Sequence, residues 1–291
     1  MLSVTAVTAK LAIVVGSSGD DGSSGDDDST TVFATSPAGW AGLPPTRRPT
    51  VASLVTDDSL VNVGLDGRLQ RAPWAGGEIE VTDLPGTPAL PLRVQGARRV
   101  GERFYVCGMF RQVFVSPDAV AWTAMNDGLD AGPGEELTGL SNVAGNGADL
   151  VAVGVHGTIF RSDDGGPWRR VPSGVRVWLK DVAWHGGAYW ICGKGGVLLV
   201  GDARFSRVAT GTTADLRALR AFRGDLYVLG DRRLWRVEGT SVVPVPTPGP
   251  PVAIDVCDEA MWMVADASTD SGPGQRRLFV SDDGRTFTRH E

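Results

Sequence analysis

Residues 150–170 read LVAVGVHGTIFRSDDGGPWRR. LVAVG is apolar, rich in valine and closed by a glycine. VHG follows as a turn, and TIFRS resumes the apolar run. Asp, Gly and Pro then interrupt it, and Trp168 opens a further segment. Short apolar runs bounded by turn residues are the pattern of strands joined by hairpins, and no helical periodicity competes with it.

The LVAVG block has six counterparts: LAIVVG (11–16), LVNVG (60–64), FYVCG (104–108), YWICG (189–193), LYVLG (226–230) and MWMVA (261–265). The seven blocks end at residues 16, 64, 108, 154, 193, 230 and 265, with spacings of 48, 44, 46, 39, 37 and 35. Intervals of that size suit a repeated four-stranded unit. A first strand is expected upstream of each block, over 3–9, 51–56, 92–97, 137–143, 178–184, 216–222 and 252–257. A third follows it in TVFATS, RLQRA, QVFVS, TIFRS, VLLVG, RLWRV and RLFVS. A fourth often opens on an aromatic: Trp40, Trp122, Trp168, Phe205 or Phe287.

The expected fold is all-β, a seven-bladed β-propeller with four antiparallel strands per blade in one domain over 1–291. The blades fall at approximately 3–44, 50–85, 91–126, 137–172, 176–210, 214–247 and 251–291. The repeat starts and finishes in phase, so no strand-exchange latch is expected. The seam between first and last blades is then the expected weak point.

Composition narrows the function. The chain of 291 residues is 42% hydrophobic and 21% charged, which suits a globular protein with a large core. Lys and Arg total 28 against 34 Asp and Glu, a net charge of -6 that offers no general attraction to nucleic acid or anionic membranes. No apolar run approaches the ~20 residues of a membrane helix. The apolar N-terminal stretch lacks a basic start and is broken by Lys10, so a cytoplasmic location is expected. Cys107, Cys192 and Cys257 are too scattered for a disulfide framework or a zinc site. Cys107 and Cys192 occupy equivalent places before Gly108 and Gly193 and are expected in the core.

Three turns share a motif: SPDAVAW (116–122), SDDGGPW (162–168) and SDDGRTF (281–287). Ser116, Ser162 and Ser281 lead; Asp118, Asp164 and Asp283 come third; Trp122, Trp168 and Phe287 come seventh, with Gly165 and Gly284 between. The segment from Ser36 to Trp40 looks like a decayed copy. The motif resembles the Asp-box, or BNR repeat, of sialidase-like and photosystem-II-assembly-factor-like propellers, which are WD40-like in architecture. The resemblance implies a structural role for these turns on the face opposite the usual binding site. Physically, short Asp and Ser side chains accept bonds from turn amides, glycine permits positive φ, and the aromatic packs back into the blade.

No chemistry-bearing constellation emerges. The sialidase arginine signature is missing, and Tyr105, Tyr189 and Tyr227 all sit inside second-strand blocks, where core packing is expected. His156, His185 and His290 lack metal-ligand spacing and read as surface turn residues. GKGG at 193–196 is too short for a phosphate loop, and the Asp163-Asp164 and Asp282-Asp283 doublets do not form a calcium loop. No catalytic residue, cofactor or metal is expected.

Two connections are long. GSSGDDGSSGDDDST (16–30) carries Asp20, Asp21, Asp26, Asp27 and Asp28, and DASTDSGPGQ (266–275) carries Asp266 and Asp270. They belong to the first and last blades and should rise from one sector of one face. They read either as solvated loops or as an acidic surface for a basic partner or a cation. Arg217 and Arg220 lie three apart on a first strand, so alternation lets only one face the channel; a solvated blade edge is expected over an anion site.

The expectation is therefore a non-catalytic scaffold that binds protein partners, a subunit or assembly factor of a larger complex. The alternatives are a carbohydrate-active propeller and a glycan-binding, lectin-like one.

Overall fold

The computed structural model describes all residues except 1, 9, 18–29, 37–38, 47–48, 87–92, 131, 133, 136, 267–275 and 291. Seven four-stranded sheets form, each from four consecutive strands paired antiparallel in chain order. The first strands are β1 (Leu2–Thr8), β5 (Thr50–Val55), β9 (Val94–Val100), β13 (Leu140–Gly145), β17 (Leu179–His185), β21 (Ala218–Phe222) and β25 (Pro251–Val256). The second are β2 (Leu11–Ser17), β6 (Ser59–Gly64), β10 (Arg103–Gly108), β14 (Leu150–Gly154), β18 (Ala188–Gly193), β22 (Asp225–Leu229) and β26 (Met261–Asp266).

Third strands are β3 (Thr30–Ser36), β7 (Arg68–Pro73), β11 (Val113–Ser116), β15 (Ile159–Ser162), β19 (Leu198–Gly201), β23 (Leu234–Glu238) and β27 (Arg276–Ser281). Outermost lie β4 (Gly39–Thr46), β8 (Glu80–Asp83), β12 (Thr123–Ala124), β16 (Arg169–Arg170), β20 (Phe205–Arg207), β24 (Ser241–Val245) and β28 (Thr288–Arg289). Each first strand touches that of the next sheet, and β25 touches β1, which closes the ring.

Closure explains the uninterrupted apolar blocks. Each sheet packs face to face on two neighbours, so a second strand has both sides covered; every residue of β6 and β14 is buried. The described core divides into seven clusters, one between each pair of adjacent sheets. Outer strands such as β8 and β16 are exposed throughout, and there the sequence turns polar.

The first and last sheets keep their own strands. They meet through Val4, Ala12, Trp262, Val264 and Leu278, and Trp262 Nε1 donates across the seam to Thr8 O at 2.8 Å. The first strand of the fourth sheet starts three residues later than its sequence suggests, because Leu137 belongs to the incoming connection and is 72% exposed. Thr138 Oγ1 donates there to Glu135 O and accepts from Arg111 Nε, which turns the chain before pairing begins.

Candidate functional site

The first strands surround a channel of roughly 700 Å³. One side is lined by small and apolar residues of β1 and β5, among them Thr5, Ala6, Val7, Ala52 and Ser53. The other side is crossed by charge. Asp181, on β17, is 3% exposed and lies between two arginines. Arg98 NH2, from β9, donates to its Oδ1 and Oδ2 at 2.9 and 3.2 Å, and Arg220 NH1, from β21, donates to Oδ2 at 3.0 Å. Asn142 Nδ2 and the amides of Val182 and Leu219 complete its shell at 2.8, 2.9 and 2.9 Å.

The chain of charges continues into the last sheet. Arg220 Nε donates to Asp255 Oδ1 at 2.5 Å, and Asp255 Oδ2 accepts from the amide of Ala6 at 3.0 Å. Arg98, Asp181, Arg220 and Asp255 thus alternate in sign and, with Asn142 and the Ala6 amide, join β9, β13, β17, β21, β25 and β1. Every oxygen of both carboxylates accepts a hydrogen bond, as buried charge requires. Coulombic attraction to Asp255 and Asp181 raises the Arg220 guanidinium further above its ordinary value, although burial opposes it.

Arg220 therefore corrects the expectation of a solvated edge. Arg217 precedes β21 and is exposed, while Arg220 on the strand turns inward to an ion-pair position. None of the four charges was singled out as a site residue. The available signal is a charge inside an apolar first strand: Asp181 in LKDVAWH, Asp255 in PVAIDV, Arg220 in ALRAF and Arg98 in VQGARRV.

The three motif turns lie on the face that carries the first-to-second strand turns, and two share one geometry. Ser116 Oγ donates to Asp118 Oδ1 at 2.9 Å, and the same oxygen accepts from the amides of Val120 and Ala121 at 2.8 Å each. Ser281 Oγ donates to Asp283 Oδ1 at 2.9 Å, and that oxygen accepts from the amides of Arg285 and Thr286 at 2.7 Å each. The amide bonds to Thr286 and Arg285 bring the Asp283 carboxyl down to about 2. Trp122 and Trp168 are buried, and Phe287 packs against the cluster between the last two sheets.

The turn at Ser162 differs. Asp164 and Gly165 both have positive φ, 50° and 69°, and the Gly166 amide donates to Asp163 O at 2.9 Å. Two consecutive positive φ values are the requirement of a type I′ turn, which needs no carboxylate cap. Ser162 Oγ instead donates to Gly166 O at 2.6 Å, and Asp163 pairs with Arg161 and Arg169. The turn role expected of Asp164 is taken by backbone.

Of the acidic loop residues, Asp20, Asp21, Asp26, Asp27, Asp28 and Asp270 lie outside the described residues. Asp266 ends β26 and is paired with Arg232 at 2.6 Å and Arg276 at 3.4 Å. Cys107 and Cys192 are buried, and burial pushes the Cys107 thiol up to about 12. His156 sits in the β14–β15 turn at φ 56°, whereas His290 packs edge-on against Trp262 with ring centroids 5.0 Å apart, not at a turn.

No protein-family model matches the chain. It is 28% identical over 224 residues to the immune protein Tsi7 of Pseudomonas aeruginosa, a match that covers 73% of each chain. Among solved structures it is similar to PorZ, a surface component of the type-IX secretion system of Porphyromonas gingivalis, with TM-score 0.66 and 15% identity. That match covers 99% of this chain but 38% of PorZ. It also resembles YCF48 bound to D1 peptide (TM-score 0.62, 13% identity, 90% and 89% coverage) and the WD40 β-propeller domain of Doa1 (0.66, 13%, 99% and 93%). The chain is a β-propeller. At these identities the solved structures speak for fold alone.

Proposed function

We propose that this chain is a non-catalytic propeller that binds a protein partner, and that the partner is one against which the cell requires protection. The observation that carries this reading is the likeness to the immune protein Tsi7 over 224 residues. The site's chemistry agrees with it. Asp181 and Asp255, two of the carboxylates in or beside the channel that Asp258 and Glu259 also line, are bound on every oxygen, so neither is placed to donate or take a proton. The Asp-box geometry at Ser116–Asp118 and Ser281–Asp283 supports kinship with Asp-box propellers of seven blades. Three free thiols suit a reducing, cytoplasmic setting.

Co-purification of the tagged chain from its native source tests the reading. One protein recovered in stoichiometric amount is the expected result. Recovery of none, together with turnover or binding across a polysaccharide panel, would replace it with the carbohydrate-active or glycan-binding alternative.

A further inference from the structure

The chain has three lysines, Lys10, Lys180 and Lys194, in a basic complement otherwise made of arginine. Two of the three converge on one indole. Lys180 Nζ lies 3.0 Å from the centroid of Trp178, and Lys194 Nζ lies 5.6 Å from it. Trp178 directly precedes β17, Lys180 is the second residue of that strand, and Lys194 opens the β18–β19 turn. All three therefore sit at the rim of the ring, on the face opposite the Asp-box turns.

The rim is built, and its three cations Lys180, Lys194 and Arg217 outnumber the neighbouring carboxylates Asp215 and Asp231. Trp178 Nε1 donates to Ser141 Oγ at 2.6 Å, which fixes the ring and offers its face to both ammonium groups. Arg217 stands nearby on the connection into β21, and its contact with exposed Asp231 is long, at 3.5 Å. Asp215, whose charge acts on Lys180, also accepts from the Gly195 amide at 2.9 Å. Burial and the Lys194 charge push the Lys180 ammonium down from its ordinary value, as expected of a cation crowded by cations. Two ammonium groups over one indole repel each other unless an anion lies between them.

We propose that the Trp178, Lys180 and Lys194 rim, flanked by Arg217, is the docking site for a carboxylate-rich segment of a protein partner. This rests on the protein-binding reading given above. Carboxylate is favoured over phosphate because two of the turn amides that would cradle a phosphate are taken: Lys194 N donates to Trp178 O at 2.9 Å and Gly195 N to Asp215 at 2.9 Å. A net charge of -6 gives the chain no general attraction for an acidic segment, so a local cationic rim also orients the partner.

The probe is a fluorescein-labelled deca-glutamate peptide, read by anisotropy, with deca-lysine as control. Saturable binding is expected that weakens steeply as salt rises from about 50 mM to about 500 mM. K180Q/K194Q should lose at least about tenfold in affinity. D215N, which removes a competing anion, should gain roughly fivefold. Lys194 is exposed, so K194Q alone gives a variant whose loss of binding is not a loss of fold. Absence of saturable binding, or equal binding by wild type and K180Q/K194Q, overturns the proposal. Full displacement of the peptide by about 10 mM inorganic phosphate reassigns the rim to phosphate. A native partner that co-purifies equally with wild type and K180Q/K194Q sinks the rim and leaves the protein-binding reading standing. No partner with either variant, despite peptide binding, sinks that reading alone.

Discussion

The Ser-Asp motif turns and the channel network both satisfy buried or half-buried polar groups, but over very different distances in sequence. Asp283 takes amides two and three residues ahead of it, within one hairpin. Asp181 takes Arg98 from 83 residues before it and Arg220 from 39 after, and Asp255 takes the amide of Ala6 from 249 residues away. The turns thus stabilise single sheets, whereas the network joins six of the first strands. Local devices survive when the ring opens. The bond from Ala6 to Asp255 forms only when the ring is closed.

The largest effect should follow from removing the shared anion. Asp181→Ala leaves Arg98 and Arg220 partly buried against no carboxylate at that point and should cost about 3–5 kcal/mol in urea unfolding. A loss below about 1 kcal/mol would mean that the network does not hold the ring. Gly284→Ala comes next. The glycine has φ 71°, and an added Cβ would stand 2.2 Å from Tyr227 Oη, for a loss of about 2 kcal/mol.

Tyr227→Phe should partly rescue that variant. By itself it should raise stability by up to about 1 kcal/mol, because Tyr227 Oη is buried with no hydrogen-bond partner among the described residues. A lower Tm for the single variant would reveal a partner for that hydroxyl.

Acid supplies the smallest test. Asp283 has a lowered carboxyl in the folded chain, so its contribution is complete above the ordinary carboxylate value near ~4 and is lost as pH falls toward about 2. Asp283→Asn should therefore flatten the fall in Tm between about pH 5 and about pH 2.5, by a few tenths of a kcal/mol for so exposed a group. An equally steep fall in that variant would place the acid sensitivity elsewhere.

The second strands were legible because both their faces are covered, which forces an apolar run whatever the neighbours are. LVAVG, YWICG and MWMVA land in β14, β18 and β26. The first strand of the fourth sheet was misplaced because an exposed Leu137 imitates a core residue when hydrophobicity is all that is read. The motif at Ser162 misled for a related reason: two turns with the same first and third residues close differently once Asp164 itself takes a positive φ.

Composition and periodicity decided that this chain is built of repeated four-stranded sheets, since strand burial and turn chemistry act over a few neighbouring residues. Closure of the ring decided the rest. It placed Arg98, Asp181, Arg220 and Asp255 in one line of charges. Those pairings are set by distance through space, and each partner's own sequence carries no trace of the other.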